Sequence, residues 1–124
     1  MNWHVQDLIA RALQEDIGHQ DITTEYLVDA KQRSRGVFLA KSAGIIAGIA
    51  VAEQVFRTLD EDIEFTAIIN DGEEATPGDV IAMVEGRTRT LLIGERTALN
   101  FLQRLSGIAT RTRRMVDLIR YEKA

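Results

Sequence analysis

The sequence predicts an α+β fold, with about four short strands interleaved with several helices. Two local patterns point to it. Short apolar runs rich in Val, Ile and Phe lie between Gly, Asp and Pro turn signals, as strands do. Between and after these runs, apolar residues recur at three- and four-residue spacing, the mark of a helix with one buried face. The third observation is composition. A chain of 124 residues that is 45% hydrophobic and 27% charged supports one compact core.

The elements follow in order. Val5, Leu8, Ile9, Ala12 and Leu13 keep helical spacing, and Gly18 offers a stop, so about three helical turns are expected. Residues 18–24 are polar and turn-like, with Asp and Thr side chains able to cap backbone groups. Residues 34–41 read as a strand and residues 44–48 as a second. From Ile49 to Leu59, Val51, Ala52, Val55, Phe56 and Leu59 describe a helix crossing back. Residues 63–69 alternate well enough for a strand. Residues 70–79 carry two turn signals, Asp71-Gly72 and Pro77-Gly78, and residues 80–86 form the next strand. From Thr90 onward Leu91, Leu92, Glu95, Leu99, Leu102 and Leu105 mark a helix. Gly107 interrupts it, and Ile108, Thr112, Met115, Val116 and Ile119 predict a further helix to the end.

Composition also excludes functions. With no cysteine, disulfides, thiol catalysis and cysteine-ligated metal sites are ruled out. No apolar run approaches the roughly 18 residues of a membrane span, and residues 1–7 lack the order of a secretion signal. The expected compartment is the cytoplasm. The net charge of −4 is unevenly spread: residues 1–86 hold six Lys/Arg against sixteen Asp/Glu, and residues 87–124 hold nine against three. So basic a segment calls for an anionic substrate, a nucleic acid or an acidic partner surface.

Few motifs carry chemistry alone. The Asp71-Gly72 to Gly86 stretch resembles half of a lipoyl or biotinyl carrier domain, but no lysine stands at a hairpin tip. His4 and His19 belong to no metal-ligand spacing, residues 44–48 do not space their glycines as a phosphate loop does, and Ser42 and Ser106 lack a paired histidine. Arg104, Arg111, Arg113, Arg114 and Arg120 could form a nucleic-acid stripe. Only Phe101 and Tyr121 are there to stack bases, however, and the whole chain is acidic, so no nucleic-acid partner is expected. Arg96, beside Glu95, reads as an ordinary surface ion pair worth under about 1 kcal/mol.

Residues 95–110, Glu-Arg-Thr-Ala-Leu-Asn-Phe-Leu-Gln-Arg-Leu-Ser-Gly-Ile-Ala-Thr, change that reading. This long ungapped stretch resembles quinolinate phosphoribosyltransferase, the carboxylating nicotinate-nucleotide pyrophosphorylase. Supporting stretches stand in family order: Glu15-Asp16-Ile17-Gly18, Asp21-Ile22-Thr23-Thr24, residues 44–48, Asp71-Gly72 through Pro77-Gly78, and Val84-Glu85-Gly86. Gln20 departs from the family, which commonly has a second glycine there; only local turn geometry is affected. The likeness runs from about Leu8 to about Ile119.

The resemblance implies an N-terminal α/β sandwich domain, residues 1–107, with residues 108–124 opening an α/β barrel that is cut short. It implies an enzyme of NAD biosynthesis that joins quinolinate to phosphoribosyl pyrophosphate, releasing pyrophosphate and carbon dioxide and yielding nicotinate mononucleotide, with magnesium accompanying the donor. The family's catalytic and most of its binding residues sit in the barrel, so no catalytic, cofactor or metal residue is expected in this chain, which alone should be inert. One substrate residue carries over. Arg96 is expected to reach quinolinate in the neighbouring subunit of a homodimer or higher homo-oligomer, with Leu92 and Leu99 anchoring a helical face turned from it. Arg104, Arg111, Arg113 and Arg114 stay without a role. Alternatives are a non-catalytic dimerising sandwich and a related family associated with molybdenum transport. The mass of the full-length product would separate the truncated enzyme from the free-standing sandwich.

Overall fold

A computed structural model describes residues 4–15, 31–111 and 116–123, the last stretch in backbone only beyond Val116. Helix α1 covers residues 4–15. Strands β1 (Arg33–Ala40) and β2 (Gly44–Ile45) precede helix α2 (Ile49–Leu59). Strands β3 (Glu64–Ala67), β4 (Glu74–Ala75) and β5 (Val80–Arg87) lead directly into helix α3 (Thr88–Thr110), and β6 (Val116–Lys123) closes the chain. The α+β expectation holds, with two strands more than predicted.

Four strands form one antiparallel sheet in the order β3-β5-β1-β6, and β2 pairs with β4 in a separate two-residue ribbon. The pleat sorts side chains by alternation. Ser34, Gly36, Phe38 and Ala40 of β1 face inward opposite Gly86, Val84 and Ala82 of β5, while Arg35 and Glu85 pair on the outer face. A shift in register between Phe38 and Leu39 lets both Ile81 and Ala82 be buried.

Helices α2 and α3 cover the inner face. The Phe56 ring of α2 meets Phe38 edge-on at 6.2 Å between centroids and lies 6.4 Å from Phe65. Such offset contacts suit aromatic quadrupoles. Against the same ring packs Gly94 of α3, where a Cβ would stand 2.9 Å from two Phe56 carbons. Only glycine lets the helices come this close. Gly48, at φ +98°, turns the chain into α2 and lies under Leu105.

The expected break at Gly107 and the expected last helix are both corrected. Helix α3 runs unbroken to Thr110 and ends at Arg111, whose left-handed backbone (φ 59°) stops it. The segment then pairs antiparallel with β1, supplying partners for backbone groups that a strand edge would leave open. Val116 is buried and its carbonyl accepts a hydrogen bond from the Gln103 side chain. The predicted turn over residues 70–79 holds the two-residue strand β4. Its pairing with β2 shows that such short pieces are made by their partner, not by local pattern. The expected strand over residues 44–48 shrinks to β2: Ile46 still exchanges backbone hydrogen bonds with Gly72 and Glu73, and residues 47 and 48 turn into α2. The turn-like residues 18–24, with His19 and Gln20, and Arg113 and Arg114 lie outside the described residues.

Candidate functional site

Helix α3 carries Arg96, and the chain fixes that helix at both ends. At its start the Thr88 amide donates to the Gln32 carbonyl at 2.8 Å, and the Ser34 and Thr88 hydroxyls bond to each other in a buried position. Asp60 accepts from the Thr90 hydroxyl at 3.5 Å and stands 3.7 Å from the Arg87 guanidinium. Near its end the buried Ser106 hydroxyl accepts from the Ala47 amide at 2.9 Å and donates to the Ala47 carbonyl at 3.1 Å. A 23-residue helix held this way presents its outer residues at fixed positions.

Leu91, Gly94, Ala98 and Leu102 are buried in α3. At 100° per residue they centre about 165° from Asn100, and Arg96, Asn100 and Arg104 spread over only about 80° of the opposite side. All three of these polar residues are exposed. The expected role of Leu92 and Leu99 is therefore corrected. Residues four before and three after a position share its face, and both leucines flank Arg96, half-buried. Arg96 is turned outward by Leu91, Ala98 and Leu102 on the far side.

Between α1 and α3 lies a groove of about 270 Å³, lined by Ala12, Glu15, Arg96, Thr97, Asn100, Phe101 and Arg104. Ile9 and Leu13 of α1 are buried in the core, which sets the helix across α3 and turns Ala12 and Glu15 toward the groove. Among the described residues neither Arg96 nor Arg104 forms an ion pair, and the expected Glu95–Arg96 pair is not made. The ion pairs present are Arg11–Asp7, Arg57–Glu53 and Arg87–Asp60. Two guanidiniums thus share one wall of the groove, with the Asn100 amide between them. The wall can bind carboxylate or phosphate oxygens in charge-assisted, forked hydrogen bonds.

Sequence reading singled out Arg96 but left Arg104 without a role. The signal was present as Arg96, Asn100 and Arg104 at four-residue steps on one helix face. That α1 closes a groove over them is a matter of packing and is not written in α3. Arg111 is exposed at the helix end, away from the groove. Among the described residues no three His, Asp or Glu side chains gather to hold a metal ion, and no helix is long and apolar enough to cross a membrane.

An antiparallel sheet with helices on one face and an arginine-lined groove along α3 defines the class: an α/β sandwich domain. Residues 21–106 match the family model described as quinolinate phosphoribosyl transferase, N-terminal domain, and the chain belongs to that family. It is 40% identical over 116 residues to quinolinate phosphoribosyltransferase [decarboxylating] 1b of Nicotiana tabacum, a match covering 93% of this chain and 33% of that protein. To the probable nicotinate-nucleotide pyrophosphorylase [carboxylating] of Bacillus subtilis it is 43% identical over 102 residues, or 82% of this chain and 35% of the relative. The crystal structure of NadC from Streptococcus pyogenes superposes with a TM-score of 0.83 at 36% identity, covering 90% of this chain and 40% of that one. The chain spans about a third of the length of the curated relatives it matches.

Proposed function

We propose that this chain supplies the N-terminal domain of an enzyme converting quinolinate and phosphoribosyl pyrophosphate to nicotinate mononucleotide, pyrophosphate and carbon dioxide. Within it, Arg96 binds a quinolinate carboxylate in a site that the neighbouring subunit of a homodimer completes. The observation that supports this reading is the placement of Arg96. It lines the groove, points away from its own core and has no ion-pair partner among the described residues. A guanidinium left unneutralised on a rigid helix is prepared for an incoming anion, because its position is set before binding.

The catalytic groups then lie outside this chain, which should be inert alone. A magnesium ion accompanying the donor would take its ligands from the donor phosphates and from protein groups outside the described residues, since none of these form a cluster suited to it. This chain's own part is to bind, orient and neutralise charge.

A chimera tests the reading, with residues 1–111 replacing the matching third of the Bacillus subtilis relative. It should turn over quinolinate, and Arg96→Ala should raise its quinolinate KM about tenfold or more, as expected for loss of a charge-assisted contact of roughly 1.5–3 kcal/mol. Urea stability should not change, because Arg96 is exposed. Unaltered KM and kcat in Arg96→Ala would retire the assignment. Turnover by the 124-residue chain alone, above a protein-free blank, would sink the claim of inertness.

A further inference from the structure

We infer that Asp71 and Gly72 form a site of spontaneous modification, where aspartate converts to isoaspartate whenever residues 46–49 release their hold on the pair. Of the chain's aspartates only Asp71 precedes glycine, the residue whose missing side chain hinders its own amide nitrogen least. Both residues are exposed. The Gly72 nitrogen attacks Cγ of the Asp71 carboxyl group. A C–N bond forms, and a carboxyl oxygen leaves as water together with the amide hydrogen. Water then opens the five-membered imide. Opening at Cγ restores aspartate, whereas opening at the main-chain carbonyl leaves the backbone running through the former side chain, as isoaspartate.

The fold needs each member of the reactive pair. Gly72 is third in the turn from Asn70 to Glu73, where the Glu73 amide donates to the Asn70 carbonyl at 3.0 Å, and its φ of +89° favours glycine. Asp71 Oδ1 accepts from the Ile49 amide at 2.9 Å, serving the first N–H of α2, which Gly48 has no side chain to cap. The neighbouring Ile46 carbonyl accepts from the Gly72 amide at 2.8 Å. Attack requires the Gly72 nitrogen to lose its hydrogen and Cγ to swing over it, and each of these two bonds opposes one of those movements. Ser106 of α3 in turn holds Ala47, in the middle of the gripping segment, by its two bonds. The reaction therefore waits on local opening, and its rate follows the open population. Isoaspartate adds a methylene to the backbone, withdraws the acceptor from Ile49 and unfastens α2 from the turn.

To test this, the purified chain and a free peptide of residues 67–76 are incubated at neutral pH. Isoaspartate is counted by enzymatic methylation of its carboxylate and located by mass-spectrometric mapping. The product should map to Asp71. The folded chain should form it about tenfold or more slower than the peptide, because two hydrogen bonds must open first. In urea the two rates should meet. Ser106→Ala should quicken the reaction of the folded chain about threefold or more, whereas Val84→Ala, which loosens the buried face of the sheet, should leave it within about twofold. Hydrogen exchange at the Ile49 and Gly72 amides reads the same opening without relying on a variant, and both amides should be protected in wild type. Equal rates in peptide and folded chain, product at another aspartate, unprotected Ile49 and Gly72 amides, or equal acceleration by the two substitutions overturns the proposal.

Discussion

Replacing Gly94 by alanine sets two well-measured effects against each other. In an exposed helix the change stabilises by about 1 kcal/mol, because alanine loses less backbone entropy on folding. At Gly94 the new Cβ would lie 2.9 Å from both Cδ1 and Cε1 of Phe56 and 3.1 Å from Leu59 Cδ1. Real Cβ atoms do not tolerate the first distance, so the ring or the helix must move. The ring is poorly free to do so: Phe56 is fully buried and held between Phe38 and Phe65. Overpacking a filled core costs about 1–3 kcal/mol, so the expected net effect of Gly94→Ala is a destabilisation of up to about 2 kcal/mol. Urea denaturation of the purified chain measures it. The second half of the test is a double mutant. In a Phe56→Leu background the clash is gone, and Gly94→Ala should recover its helical benefit, a coupling of about 1–3 kcal/mol. Stabilisation by Gly94→Ala in the wild-type background would refute the close approach of α2 and α3. So would additivity of the two changes.

Two further outcomes follow from the same structure. Ser106→Ala removes both bonds to the Ala47 backbone from a buried position and should cost about 1–3 kcal/mol in the same assay; a loss below about 0.5 kcal/mol would show that the clamp contributes little. Asp79 is held below the usual carboxylate range by the Thr76 amide and hydroxyl, which donate to it at 2.8 and 2.9 Å. A depressed carboxylate stabilises the fold above its unfolded-state value, and that contribution disappears as pH falls through the lower folded-state value. Stability of the wild type should therefore drop below about pH 4 more steeply than that of Asp79→Asn; parallel profiles would exclude this linkage.

Much of this protein is legible in its residues alone. Helix α2 is predicted at its observed bounds, because an apolar stripe with 3.6-residue spacing and a glycine before it leave little choice. Strand β1 alternates buried and less buried side chains along its whole length, and β5 does so from Ala82 onward, with the adjacent Ile81 buried at the register shift. The family likeness is already legible in residues 95–110, most of which fall within the stretch 21–106 that matches the family model. Three things were decided only by tertiary contact. The stretch from Ile108 onward has helical spacing in Ile108, Thr112, Met115, Val116 and Ile119, yet residues 116–123 form a strand. The open edge of β1 offers a ladder of backbone bonds that local periodicity cannot register. The outward turn of Arg96 depends on which side of α3 is buried: Leu91, Gly94 and Ala98 are, with Gly94 against Phe56 of α2, while Leu92 and Leu99 are only half-buried. The groove exists only because Ile9 and Leu13, some ninety residues earlier in the chain, anchor α1 across α3. Helical spacing is a property of neighbours in sequence, whereas a cavity is a property of surfaces brought together, and no local pattern encodes where the second surface will come from.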